Sequence, residues 1–366
     1  MKNTFGNAVT LTLAGESHGD AITVILDGLS AGIRVDTAEI DRELSRRRPS
    51  GASDTARHEA DKYNIVSGVF EGYTTGTPIC IVIPNENKKS DDYEALRGVA
   101  RPAHADYAAY CKYHGFEDYR GGGHFSGRVT VGLVAAGAIL QSALRGVGIT
   151  VGTHVAKCAG VCDRRFENLE TDILSLKTAA FPILDGEKQA AMMDAIVAAK
   201  KDCDSVGGVV ETAVLGVPAG VGEPWFDSVE GLLSHALFSL GGIKGVEFGD
   251  GFALSDMRGS EANDPFRMED GKTVTLTNRN GGINGGITNG MPIVFRCAVK
   301  PTPSISKTQQ SVNFKDGRDI DLSIHGRHDP AIVRRICPVI DSVTALVLCD
   351  LLTLRYGEDY LAGEKK

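Results

Sequence analysis

Three stretches of this 366-residue chain place a histidine among small and charged residues: AGESHGD (Ala14–Asp20), RPAHADY (Arg101–Tyr107) and HGRHDP (His325–Pro330). Imidazole moves protons near neutral pH, so His18, His104 and His328 are candidate acid–base groups. Ser17 stands beside the first of them, and Ser126 lies in a fourth stretch, DYRGGGHFSGRVT (Asp118–Thr130). Arginines recur close by: Arg48 closes a run of three before Pro49, Arg120 and Arg128 flank the fourth stretch, and Arg327 precedes His328. Guanidinium grips phosphate or carboxylate bidentately. In combination these residue types point to an enzyme acting on a small polyanion with acid–base help.

The fourth stretch has few side chains that could build a core. Three consecutive glycines give up much conformational freedom on folding, and one is enough for most turns. Three therefore imply that something approaches the backbone closely, and the flanking arginines imply that it is anionic. A second glycine-rich segment, NGGINGGITNG (Asn280–Gly290), leads through an apolar run to KPTPS (Lys300–Ser304). Neither segment sits between a clear strand and an amphipathic helix with an acidic residue about 20 positions on, as a dinucleotide fingerprint requires. Singly, each feature has a plainer reading. Paired glycines make turns, a lone histidine is commonly structural, Arg46–Arg48 would be a solvated helix end, and Asp329 before Pro330 would be a helix cap.

The elements that must position these loops follow from periodicity. Alternating or apolar runs predict strands over Ala8–Ala14, Ala21–Leu26, Ile79–Pro84, Gly208–Val217, Thr273–Leu276 and Pro292–Val299. Helices are predicted over Thr37–Arg47, Val131–Leu144, Glu187–Lys201 and Val333–Leu354, with Pro338 marking a kink or first turn of the last. No linker stands out, so residues 1–366 are expected to form one domain. An internal echo, GTPICIVI from Gly76 and GMPIVFRC from Gly290, would imply two similar sheets, each entered by the same loop-to-strand corner.

Glycine supplies 44 of the 366 residues, about 12% against a usual ~7%. The glycines have no collagen period, which suits tight loops in an enzyme. A net charge of −8 makes non-specific nucleic-acid binding an unlikely role and confines any anion site to a local pocket. Eight cysteines without a CxxC pair read as reduced, mostly buried thiols, and no metal site is expected. The first residues lack a signal-peptide pattern, and no run of about 18 uninterrupted apolar residues suggests a membrane span. A cytoplasmic location, with neither membrane nor nucleic acid as partner, is the expectation.

In order along the chain, GESHG, RRRP, SGVFEGYTTGTPI, RPAHADY, DYRGGGHFSGR, GEPWFD, KGVEFGDGF, NGGINGGITNGMPI, KPTPS and GRHDP closely resemble the motifs of the chorismate synthase family, from Gly15 to Pro330. The resemblance implies an α+β fold, a β–α–β sandwich with helices between two antiparallel sheets. It implies a lyase that performs the anti 1,4-elimination of phosphate from 5-enolpyruvylshikimate 3-phosphate to give chorismate. This is the last common step of the shikimate pathway toward the aromatic amino acids. It also implies a homotetramer and a requirement for reduced FMN (FMNH2), although the reaction has no net redox change.

By the same resemblance, His18 is the acid toward the departing phosphate and His104 protonates the reduced flavin. Asp329, with Ser17 and Ser126, acts near the flavin nitrogen that accepts the ring hydrogen. Arg48, Arg128 and Arg327 clamp substrate phosphate and carboxylates, Arg327 serving the flavin as well. His124, Phe125, Ser126, Gly241, Gly242, Gly285, Lys300, Pro301, Thr302, Pro303 and Ser304 match flavin-lining positions.

The chain departs from the family pattern at several places. His124-Phe125 stands where Arg-Ser is common, Ala103 where glycine is usual, and Pro303 where serine is common. After RRRP the family often has an arginine that can contact a nicotinamide phosphate; here the segment is SGASDTAR, with Asp54 near that place and Arg57 as a substitute. NADPH as a source of reducing power, with Arg48 as its contact, is thus in question, and an external flavin reductant is expected. Two other classes stay open at this point: a flavin- or nicotinamide-dependent oxidoreductase using the same loops, and a non-catalytic phosphometabolite-binding protein.

Overall fold

Ile22, Val24 and Leu26 are buried while their neighbours along Ala21–Asp27 are not, and Ile79, Ile81 and Ile83 repeat the pattern along Ile79–Pro84. A period of two puts each set on one face of a strand. The strands pair antiparallel with Ile22 opposite Ile83, Val24 opposite Ile81 and Leu26 opposite Ile79, so the apolar faces merge into one surface. The computed structural model describes residues 2–51, 54, 60–86, 96–324 and 328–363.

The fold is α+β. The first sheet runs Thr4–Phe5, Thr10–Ala14, Ala21–Asp27, Ile79–Pro84, Asn64–Ser67 in spatial order. The second runs Val161–Cys162, Thr150–Cys158, Gly208–Leu215, Ile293–Val299, Ile243–Phe248. All neighbours in both are antiparallel. The helix Thr130–Gly146 packs on the first sheet and Val333–Tyr356 on the second, and the two helices pack on each other. Gly137 permits their close crossing, because a Cβ there would lie 2.7 Å from Ser342 Cα. The spans Gly127–Gly146 and Val333–Tyr356 are long and apolar enough to cross a membrane, but their apolar stretches are 78% and 100% buried within the protein. Buried apolar residues of both sheets and the helices form one continuous cluster.

Leaving out the edge strands Thr4–Phe5 and Val161–Cys162, the remaining four strands of each sheet share one order, Thr10–Ala14, Ala21–Asp27, Ile79–Pro84, Asn64–Ser67 matching Thr150–Cys158, Gly208–Leu215, Ile293–Val299, Ile243–Phe248. Among these four, a helix (Thr37–Arg47 or Val229–Phe238) follows the second strand in the chain, and a long helix comes after the fourth. The echoed segments occupy equivalent places: Ile79–Pro84 and Ile293–Val299 are each second from a sheet edge. Each follows a positive-φ glycine, Gly76 at 76° and Gly290 at 89°.

Several boundaries differ from the periodicity reading for visible reasons. The second strand starts at Thr10 because the Asn7, Ala8 and Val9 amides donate to the Asp350 carboxylate. The Gly208 strand stops at Leu215 before Gly216, whose φ is 85°. Pro338 neither starts nor breaks its helix, which continues from Val333 to Tyr356. Strands Thr150–Cys158 and Ile243–Phe248 and helices Asp106–Tyr113, Leu169–Leu176 and Val229–Phe238 were not expected.

Thr150–Cys158 is buried on both faces, which removes the alternation that marks a strand. Thr153 bonds Asp341 on the central helix, so His154 faces the other way. There a charged row crosses four strands, with His154 opposite Glu211, Glu211 opposite Arg296 and Arg296 opposite Glu247.

Candidate active site

The glycine-rich turn Arg120–Phe125 is broken by Gly121, Gly122 and Gly123 at φ 60°, 86° and 53°, values that disfavour side chains. The space around them is filled. A Cβ on Gly121 would lie 2.8 Å from Ser17 Oγ and closer still to the His18 ring. A Cβ on Gly122 would lie 3.1 Å from His104 Cε1 and 3.2 Å from its Nε2. The Gly123 carbonyl accepts the Ser17 N–H at 3.0 Å. What approaches this backbone is thus, first of all, the protein's own two imidazoles. The bare backbone brings His18 from the first loop and His104 from the second to consecutive residues.

His104 is oriented by a neighbour that the motif reading did not single out. Its Nδ1 lies 3.0 Å from Asp106 Oδ1 and 3.1 Å from Arg101 Nη2, which turns Nε2 toward Gly122. Arg101 holds the same carboxylate through Nε at 2.8 Å and Nη2 at 2.6 Å. Burial alone would raise the Asp106 carboxyl, but the hydrogen bonds from His104 and Arg101 outweigh it and hold it far below the usual range. Ala103, just before, sits at φ 56° in the left-handed region where the family usually has glycine. Its carbonyl accepts Lys300 Nζ at 2.6 Å, and the Lys300 N–H donates to Gly242 at 2.9 Å. KPTPS and Gly242 are thereby tied to the His104 loop.

Arginines gather on the other side of the glycine turn. Asp61 receives Arg128 Nη1, with Arg47 Nη1 and Arg48 Nε each at 3.4 Å. Arg128 is also held by Asn85 Oδ1 at 2.9 Å and the Pro84 carbonyl at 3.3 Å, so it is a buried strut. Arg48 differs, with 32% of its side chain exposed. Arg334 reaches Asp54 and the Arg48 carbonyl, and Arg335 reaches Asp329 and the Arg47 carbonyl. These contacts bring Asp329 beside the arginine run. Asp54 is committed to Arg334 and to the Ser50 N–H at 2.6 Å.

A cavity of about 500 Å³ opens on Arg101, His104, Gly122, His124 and Phe125. His124 Nδ1 donates to the Gly15 carbonyl at 2.8 Å, fixing its ring against the first loop. Ser126 accepts the Arg128 N–H at 3.3 Å, and Phe125 is exposed near Tyr113. Thr302 Oγ1, His328 Nε2 and Ser17 Oγ are buried without a hydrogen-bond partner among the described residues. Ser304 is buried, while Pro301 packs near Gly207. Gly241 and Gly285 face open space; Gly285 turns a separate hairpin, Ile283–Asn284 with Ile287–Thr288, that these hydrogen bonds do not reach. Arg327 and Arg57 lie outside the described residues. No cluster of metal ligands occurs among the described residues.

Asp61, Asp106, Arg101, Arg334 and Arg335 are the site residues that motif reading left out. Asp106 had a local signal, two positions after His104 in RPAHADY. Asp61 had none, since only folding brings it to the arginines.

The family model described as chorismate synthase matches residues 9–353. The chain is 44% identical over 351 residues to the chorismate synthase of Methanococcoides burtonii, covering 95% of each chain. It is 47% identical over 352 residues to that of Methanocella arvoryzae, covering 95% of this chain and 93% of the relative. A solved structure, a crystal structure of chorismate synthase, superposes with a TM-score of 0.74 at 29% identity, covering 97% of this chain and 94% of the other. A family model over almost the whole chain and relatives of this identity show that the chain belongs to the chorismate synthase family.

Proposed function

We propose that this enzyme converts 5-enolpyruvylshikimate 3-phosphate to chorismate and phosphate by anti 1,4-elimination, with reduced FMN, as a cytoplasmic step of the shikimate pathway. The observation that carries the reading is the pair of imidazoles seated on Gly121 and Gly122 beside an arginine cluster. That arrangement supports acid–base chemistry on a polyanion, and the family membership supplies the reaction.

The residues present fit a flavin. Thr302 Oγ1 and His328 Nε2 are buried polar atoms without a partner among the described residues, and Lys300 supplies a cation beside His104. His124, Phe125, Ser126, Gly242 and Lys300–Ser304 would hold it. When bound, reduced FMN supplies electron density that helps phosphate leave the ring. Burial keeps Lys300 lower than an ordinary lysine, aided by Lys244 nearby.

His18 is the acid toward the departing phosphate, held in a buried position beside Ser17. His104 presents Nε2, its ring held at Nδ1 by Asp106 and Arg101. Arg48 meets the anionic substrate, and Asp61 links it to Arg47 and Arg128. Asp329 stands with Arg335 at the rim of this cluster. Such placement orients the reacting groups and screens the leaving charge. Exposed Trp225, Phe226 and Phe252 support assembly into a homotetramer. Reducing power comes from an external flavin reductant; the commitment of Asp54 to Arg334 speaks against an NADPH phosphate at that place.

The test is anaerobic phosphate release with photoreduced FMN. Stoichiometric phosphate and chorismate without net flavin oxidation is the expected result. Net oxidation would indicate an oxidoreductase, and binding without turnover a phosphometabolite-binding protein.

A further inference from the structure

Asp61 has a fully buried carboxylate that meets three guanidinium groups arriving from two elements. Arg47 and Arg48 come from the end of the Thr37–Arg47 helix, and Arg128 from the turn that opens the Thr130–Gly146 helix. Asp61 sits at φ 50°, a strained backbone for a non-glycine residue. Burying a charge in strained backbone needs compensation, and here the compensation comes from the three cations.

The three arginines are not equivalent. Arg47 also bonds Thr130 Oγ1 at 3.0 Å and the Gly127 carbonyl at 3.1 Å, and Arg128 bonds Asn85 and Pro84. Both are buried. Arg48 meets Asp61 through Nε, and among the described residues its two terminal nitrogens make no hydrogen bond. A guanidinium held at Nε presents its Nη pair outward, the geometry for a bidentate grip on phosphate or carboxylate. Among the described residues, five arginines (Arg47, Arg48, Arg128, Arg334, Arg335) gather around three carboxylates (Asp54, Asp61, Asp329).

We propose that Asp61 is a positioning residue for anion capture: it acts through Arg48, holding that side chain from behind so that its terminal nitrogens face the substrate. The proposal rests on the reading of this site as one for a phosphorylated substrate. Without Asp61 the three guanidiniums repel one another and Arg48 loses its fixed direction.

The experiment is a double-mutant cycle of Asp61→Asn and Arg48→Ala. It is read by calorimetric binding of inorganic phosphate to the full chain, by KM and kcat for phosphate release, and by FMN affinity. Asp61→Asn is expected to weaken phosphate binding and raise KM by roughly 10- to 100-fold, the span of one charge-assisted hydrogen bond. FMN affinity should hold and kcat should change much less than KM. In the Asp61→Asn background, Arg48→Ala should cost little more, because the two residues act as one unit. Additive losses, or equal losses in KM, kcat and FMN affinity, would overturn the proposal. Should Asp61→Asn not fold, Asp61→Glu keeps the charge and moves it; an unchanged KM in that folded variant would overturn the proposal equally. Wild-type protein that binds inorganic phosphate yet releases none from substrate would refute the reaction while leaving the Asp61 cycle readable.

Discussion

His18 lies against the one face of Gly121 that any other residue would fill with a Cβ. The contact explains why glycine is needed there twice over, for φ 60° and for room. Gly121→Ala should cost about 1–2 kcal/mol for the left-handed backbone and displace the His18 ring. A shift on the order of 1 Å at a reacting group can cost about 10²-fold in rate. Phosphate release by the folded variant measures it; wild-type turnover would show that the seating of His18 is unimportant.

His18→Ala and His104→Ala should each lower turnover by roughly 10²–10⁴-fold. Asp106→Asn should lower it less and change the pH profile of kcat, since the Nδ1 anchor of His104 is weakened rather than its Nε2 removed. FMN affinity should persist in the His18 variant. Near-normal turnover in both histidine variants would remove their assigned roles.

Arg48→Ala and Arg128→Ala should fail in different ways. Arg48 is partly exposed, so its loss should weaken substrate binding while stability holds. Arg128 is a buried partner of Asp61, and breaking such a pair costs about 3–5 kcal/mol. Urea unfolding beside substrate titration separates the two, and similar denaturation midpoints for both variants would contradict the distinction.

Ala103→Gly should stabilise the protein by about 0.5–1 kcal/mol. Relief of a left-handed alanine is worth about 1–2 kcal/mol, offset in part by the extra freedom of glycine when unfolded. Ala103 stands between Arg101 and His104, so a change in kcat alongside the gain would show that the strain bears on function. A destabilised variant in chemical denaturation would refute the strain.

His154 carries the pH prediction. Burial alone would lower its pKa, but hydrogen bonds to Asp163 at 2.8 Å and Glu211 at 3.1 Å reverse that and raise it. A raised folded pKa means stability fully present below the unfolded value of about 6.5 and lost as pH rises through the folded value. Melting temperature should therefore fall across that window in wild type and fall less in His154→Gln. Arg296, next in the charged row, is common to both proteins and drops out of the comparison. Parallel melting profiles would show that His154 is neutral in the fold.

Much of this architecture was legible because alternation survives wherever one face of a strand is less buried. Ile79–Pro84 and Thr37–Arg47 match the periodicity reading at both ends. Thr150–Cys158 did not reveal itself, because a strand covered on both sides loses its period and here holds His154 and Thr153 in its buried run. The same divide runs through the site. His18, His104 and the glycines announce themselves by type and local company. Asp61 does not, since its meaning comes from Arg128, 67 positions away. The short echo at Gly76 and Gly290 carried more than its length suggested, for it marks matching strands in two sheets that share the order of four strands.

The Val333–Tyr356 helix fills the middle of the molecule, with 20 of its 24 residues buried. It also comes after both sheets in the chain. During synthesis the first sheet, the second sheet and the helix Thr130–Gly146 all leave the ribosome before the element that joins them. Until then the second sheet has an apolar inner face that its intended cover has not reached, and chains in that state are open to aggregation. Folding in the cell is thus timed by the last helix: the nascent chain waits, half-layered, for its centre to arrive.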